Sequence, residues 1–264
     1  MRGTFLATGV ALRRPALLVG TAAVTAVVTA LITLVTFANA GQGAGTAPGA
    51  SGTAWTTASL SGPGGLTSGL AEGAGMLGAV ALCVAGGLLA GRFSTGTVRN
   101  LLLRQPDRAR VLAGSWAALV VFALGLVAVS ALVAVGVALA VAGGHGVHTD
   151  GWFTGSGVAR SARTLGCVAL STTGYVTIGT VLGVLLRAPV VTVAVGLSWF
   201  LVVELVFGDS ATAQRWLPGR LLGEVAGAGS AAVPFGTALL TLIGYLAAAG
   251  VIAVLAFTRR DVTA

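Results

Sequence analysis

The chain runs to 264 residues, 56% of them hydrophobic and only 8% charged, with a mean hydropathy of +0.97. Ordinary globular chains carry about 25% charged residues, so a soluble domain of this length is excluded, and apolar runs of membrane length point to an all-α polytopic membrane protein. The net charge of +8 is all arginine, since there is no lysine, and the arginines gather at the ends of apolar runs; that pattern reads as membrane orientation and lipid contact, with no nucleic-acid partner.

Arg2, Arg13 and Arg14 precede an uncharged run at 15–38, the first predicted span. Pro15 suits a first helical turn, where its missing N–H would be unpaired anyway. Ala38-Asn39-Ala40 resembles a cleavage site, but the run far exceeds the about 7–15 residues of a signal-peptide core, so a retained span is expected. Residues 39–72 are small and polar, with Trp55 and no Lys or Arg, and read as a flexible outer loop. A short second span follows at 73–90, where Gly87 and Gly91 have the spacing that lets membrane helices approach closely.

The third span, 111–142, would extend about 48 Å at 1.5 Å per residue against a hydrocarbon core of about 30 Å, so it should tilt or project. An outer loop at 143–164 holds His145, His148, Asp150, Trp152, Arg160 and Arg163. The fourth span, 165–186, contains Gly179 and Gly183; a tight inner turn at 187–189 leads into the fifth, 190–207. In the outer segment 208–236, Arg215, Trp216, Pro218, Arg220 and Glu224 interleave with Leu-Leu and Val-Pro-Phe. That mixture is too polar to span and too apolar for a simple loop, so short interfacial helices are expected. The sixth span is 237–257, followed by Arg259-Arg260-Asp261.

Six spans in one transmembrane domain covering 1–264 put both termini on one side. Eleven arginines (Arg2, Arg13, Arg14, Arg92, Arg99, Arg104, Arg108, Arg110, Arg187, Arg259 and Arg260) then fall inside, and four (Arg160, Arg163, Arg215 and Arg220) outside. The asymmetry matches the positive-inside rule and predicts cytoplasmic termini in a cell membrane.

The inner loop 91–110 is the densest cationic stretch, with Arg92, Arg99, Arg104, Arg108 and Arg110. Ser94-Thr95-Gly96-Thr97 reads as a turn; Gly96 supplies backbone freedom, and Thr97 can cap a following helix. Val98, Leu101 and Leu102 then share one helical face, with Arg99 outside it, which predicts a short amphipathic helix on the inner surface. Pro106 restarts the chain as a first-turn proline, and Asp107 complements the next helix's N-terminus. From the residues alone, the loop either anchors itself to anionic lipid or docks a partner.

The run Gly96-Thr97-Val98-Arg99-Asn100-Leu101-Leu102-Leu103, with Pro106, Arg108, Arg110, Val111 and Leu112 after it, resembles the loop between the second and third spans of ABC exporter permeases of the type-2 class. The layout is similar too: six spans, a long outer loop after the first, a semi-apolar outer segment before the last, and Arg-Arg-Asp after the sixth. The resemblance implies a coupling helix that contacts a separate ATPase, with Thr97, Val98, Arg99, Leu101, Leu102, Arg104, Pro106 and Arg108 as contact residues. It also implies a homodimer, or a heterodimer with a second permease chain. The family often has a carboxylate near Arg92 and a lysine near Ser115; this chain has neither, which weakens any charge pairing expected there.

Without lysine no Walker A motif can form, so the chain is not itself an ATPase and binds no cofactor; ATP-Mg would sit in the partner ATPase. Loop histidines His145 and His148, with Asp150 as a lone carboxylate, do not amount to a metal site. Cys83 and Cys167 read as packed, reduced thiols. Glu204 is read as the one carboxylate inside a span, either a polar site on a path or an anchor near the outer interface. The sequence therefore predicts an export permease for a hydrophobic or amphipathic cargo. The alternative is a secondary carrier or a non-transporting membrane scaffold.

Overall fold

The computed structural model describes residues 15–40, 55–97, 107–203, 215–230 and 233–259, with single positions at 5, 8, 9, 12 and 206. Among the described residues all regular structure is helical: α1 Pro15–Ala38, α2 Thr57–Ser61, α3 Ser68–Ser94, α4 Arg108–Val141, α5 Gly155–Leu186, α6 Pro189–Ser198, α7 Pro218–Ala226 and α8 Phe235–Arg259. Single 3₁₀ turns occupy Gly65–Thr67 and Gly143–His145, and a π-helical segment, Trp199–Val203, continues α6. Five helices (α1, α3, α4, α5 and α8) are long and apolar enough to cross a membrane. The protein is a helical polytopic membrane protein.

Burial on α1 is inverted relative to a soluble helix. Its buried residues are Thr25, Thr29, Thr33, Thr36 and Phe37, whereas Val19, Val24, Val27 and Leu31 are exposed. The threonine hydroxyls donate back into their own helix, as Thr33 does to the Thr29 carbonyl at 2.7 Å and Thr36 to that of Ile32 at 2.8 Å. Self-satisfied threonines let a polar stripe pack inside while branched aliphatics face lipid.

α3 and α5 form the centre of the bundle. A Cβ added at Gly179 would lie 2.5 Å from the Leu82 carbonyl oxygen, and one at Gly183 would lie 2.8 Å from that of Gly86. The two backbones are therefore in contact. On α5 the contact glycines are Gly179 and Gly183, and on α3 they are Gly78 and Gly86, not the Gly87 and Gly91 whose spacing suggested it. Gly87 meets only Val193 at 3.6 Å, and Gly91 faces open space.

Three boundaries correct the hydropathy reading. α3 begins at Ser68 rather than 73, taking Glu72 into the helix. α5 begins at Gly155, capped by the Thr154 hydroxyl, so Arg160 and Arg163 ride on its first turns instead of a loop. Residues 55–67, read as flexible loop, are folded: the Thr56 and Ser59 side chains form a capping box that starts α2. At that end Phe37, Leu60, Ala138, Ala142, Val147 and Trp152 make a closed apolar cap. Trp152 is fully buried, donates its indole N–H to the Leu60 carbonyl at 2.7 Å, and meets Phe37 edge-on.

α6 with its π segment covers 189–203, about 22 Å at 1.5 Å per residue, and is not among the five spanning helices. α7 is the short amphipathic helix in the semi-apolar segment. It buries Leu221, Leu222 and Val225 and accepts a hydrogen bond from Ser171 of α5 at the Leu222 carbonyl, 2.9 Å.

Candidate functional site at the arginine-bearing base

Opposite the cap, the C-terminal ends of α3, α5 and α8 meet the N-terminal ends of α4 and α6. Leu89, Leu112, Val181, Val184, Ala253 and Phe257 form the apolar floor there. Phe93 of α3 meets Phe257 of α8 edge-on at 5.7 Å. Arg92, Arg108, Arg110 and Arg187 all lie around this floor, and Asp107 is the single carboxylate among the described residues of the loop and flanking helix turns.

Each arginine is held differently. Arg92, in the last turn of α3, donates from Nη1 to the hydroxyls of Thr8 at 2.9 Å and Ser115 of α4 at 3.1 Å. It ties α3 to α4 rather than facing outward, although the sequence placed it with the loop charges. Arg108 opens α4 and donates to the Phe257 carbonyl at 3.1 Å, tying α4 to the last turns of α8 and offsetting that helix's negative end. Arg110 pairs with Asp107 at 2.9 Å on the surface, while the other Asp107 oxygen caps the Arg110 amide at 3.1 Å. Such an exposed pair contributes about 0–1 kcal/mol, so its main effect is to fix where α4 starts.

Arg187 ends α5 in the left-handed region, φ 55°, and its guanidinium lies 5.2 Å from the Phe93 ring centroid. Its Nε and Nη2 are buried without a hydrogen-bond partner. A cation held over an aromatic face with part of its donor fork unpaired is the most electrostatically demanding group of the base.

The turn predicted at 94–97 is present. Gly96 takes φ 68°, its amide donates to the Phe93 carbonyl at 3.1 Å, and the Thr95 and Thr97 hydroxyls are 2.9 Å apart. Thr97 and Arg108 are thus placed on the two flanks of the cationic stretch. Val98, Arg99, Leu101, Leu102, Arg104 and Pro106, and with them the amphipathic helix, lie outside the described residues, as does Glu204.

A buried carboxylate escaped the sequence reading. Glu72 is 5% exposed inside α3, and one of its oxygens accepts the Trp55 indole N–H at 2.7 Å. The usable signal was its position directly before the assigned span, with a tryptophan upstream to solvate it. On the cap, His145 bonds the Val141 carbonyl through Nδ1 at 3.0 Å, and the His148 amide donates to the Ser61 hydroxyl at 3.0 Å. Among the described residues no three His, Cys, Asp or Glu side chains group as metal ligands.

The chain belongs to the family described as "Protein of unknown function (DUF2705)", which it matches over residues 73–263. No curated protein matches it.

Proposed function

We propose that this protein is the membrane permease subunit of an ATP-driven exporter of the type-2 ABC class, with ATP hydrolysis supplied by a separate ATPase chain. The observation that carries the reading is the wiring of the base. In sequence the stretch 98–106 connects Thr97 to Asp107, and the helices on its two flanks are cross-tied: α3 to α4 through Arg92 and Ser115, α4 to α8 through Arg108 and the Phe257 carbonyl. A push on that stretch would reach three spanning helices at once. The two positions where the chain departs from the resembling family, 92 and 115, are the pair in contact, so a hydrogen bond from a cation to a hydroxyl stands where a charge pair would be expected.

On this reading Thr97–Leu103 forms the coupling helix, with Arg99 and Arg104 facing the ATPase and Arg108, expected from the resemblance to face it too, engaged instead with the Phe257 carbonyl of α8. The chain crosses six times, the extra crossing being α6, its π segment and the residues after them. Both termini face the cytoplasm of a bacterial cell, and two permease chains, identical or not, enclose a path for a hydrophobic or amphipathic cargo. The test is recovery of the partner ATPase with wild type and with Arg99→Glu/Arg104→Glu. The double variant should insert normally and lose the ATPase, and unchanged recovery sinks the coupling assignment.

Glu72 favours a second reading, a proton-coupled carrier, because a carboxylate inside a spanning helix is a default site for ion or proton handling. Transport that stops with an ionophore and continues without ATP, and that is lost in Glu72→Gln, would select the carrier over the exporter.

A further inference from the structure

A cavity of about 290 Å³ lies between α5, the α6–π segment and α8. Ile178 and Leu182 form its α5 wall, Val195 and Trp199 its α6 wall, and Leu246 and Ala249 its α8 wall, with Pro218 of α7 at one end. No charged side chain lines it, and its surface is entirely apolar, Trp199 and Tyr245 presenting only ring carbon to it. Along α8 it extends from Leu242 to Ala249, about 10 Å at 1.5 Å per residue, well inside the length of a spanning helix.

Three features narrow what can occupy it. Water in a buried site needs two to four polar partners, and this wall supplies none. A polar or charged ligand would be desolvated with nothing to pair it. The rim faces the surroundings of the bundle: Val195 is 43% exposed, Trp199 44% and Tyr245 36%, and neighbouring Val191, Val202 and Ile243 are exposed as well. In a membrane those surroundings are hydrocarbon, so the medium at the mouth has the same chemistry as the wall. The π segment begins at Trp199, and such local departures from α geometry recur at functional sites.

We propose that this cavity binds one alkyl chain, entering sideways from the bilayer between α6 and α8, from a membrane lipid or a lipid-like cargo. The flat wall of Trp199 lies along the chain, while Leu182, Leu246 and Ala249 close around its end. The proposal rests on the cavity alone and stands whether or not an ATPase drives the protein.

The experiment uses the full chain in lipid nanodiscs with two probes: a phosphatidylglycerol bearing a diazirine on one acyl chain, and a single-chain diazirine fatty acid. After irradiation, crosslinked peptides are mapped by mass spectrometry. Labelling should concentrate on peptides bearing Trp199, Tyr245 and Leu246. It should be lost in Ala249→Trp and in the milder Ala249→Phe, both of which fill the cavity. Leu240→Trp, on the same helix at a residue 72% exposed and outside the cavity, should retain it. Preference for the diacyl probe identifies a bilayer lipid as the source; preference for the single chain identifies a cargo. Labelling that merely follows exposure, equal on Val121 and Leu132 of α4, overturns the site, as does labelling indifferent to Ala249→Trp. Disulfide capture of a second copy through Val195→Cys, with Cys83→Ala and Cys167→Ala, would show another protein chain covering the mouth and would also overturn it.

Discussion

A single methyl group at Gly179 should separate α3 from α5. Built there, it would sit 2.5 Å from the carbonyl oxygen of Leu82 and 3.0 Å from its Cα, both backbone atoms that no rotamer change can move. The helices must part instead, and the rest of the seam parts with them. A Cβ at Gly86 would be 3.0 Å from the Gly179 carbonyl oxygen, and one at Gly183 2.8 Å from that of Gly86, so there is no slack along the contact. Overpacking of this kind costs about 1–3 kcal/mol. The reference is Gly166→Ala, on the same helix, exposed, with nothing within 4 Å of the added methyl. Both substitutions gain the same helix propensity, about 1 kcal/mol in water, which cancels between them. Gly179→Ala should therefore be less stable than Gly166→Ala by about 1–3 kcal/mol. Loss of helical signal during titration with sodium dodecyl sulfate in mixed micelles measures the difference. Equal midpoints for the two variants would refute the claim that backbone contact holds α3 and α5 together.

Trp152→Ala removes a fully buried indole and strands the Leu60 carbonyl, so it should cost about 3–5 kcal/mol and open the cap to proteolysis near residues 55–67. Single cysteines at Ser59 and Thr154, with Cys83 and Cys167 replaced, should react with an impermeant reagent in intact cells; one at Gln105 should not, and labelling there would reverse the proposed orientation. Arg187→Gly should stabilise by about 1 kcal/mol through release of the left-handed conformation and of two buried, unpartnered guanidinium nitrogens; a lowered thermal midpoint would show that the cation over Phe93 holds the base instead. Under the proposed export function, Glu204→Gln should leave transport largely intact at normal membrane levels of the protein, the outcome that the interfacial-anchor expectation requires; lost transport would make it a working group.

The parts legible in the sequence were those fixed by local chemistry. Pro15 and the lack of charge up to Ala38 set α1, and Asp107 marked the start of α4, though as its N-cap, which puts Pro106 ahead of the helix and not in its first turn. What hydropathy missed were helix ends that outrun the membrane. Arg160 and Arg163 stop a hydropathy window but not a helix, which needs only its backbone bonds and the Thr154 cap to continue. Glu72 stops a window as well, yet it sits buried because Trp55, seventeen positions away in sequence, donates to it. The choice of Gly78 and Gly86 over Gly87 and Gly91 was equally hidden: spacing shows that a close approach is available, and only the partner's position shows which face takes it. At the base, Arg92 carried no mark separating it from the loop arginines. Its bond to Ser115 is a tertiary fact.

The same contacts constrain how the bundle can move if the proposed coupling is right. α3 carries the cationic stretch at its C-terminal end, and its backbone touches α5 at Gly86 and Gly179, so a displacement of the stretch cannot slide α3 past α5; the pair must travel together. Packed backbones without intervening side chains have no alternative rotamers through which to shear. Movement is left to the helices held mainly by side chains. α8 buries only 17% of its most apolar window and is held at the base through side chains, Phe257 against Phe93 and Arg108 on the Phe257 carbonyl, whereas α1 approaches α3 closely, since a Cβ at Gly69 would lie 2.9 Å from the Thr33 Cα. A rocking of the α3–α5 unit against α8 is the motion this distribution of contacts permits. The apolar cavity between α5 and α8 lies on the line where that motion would open or close the bundle.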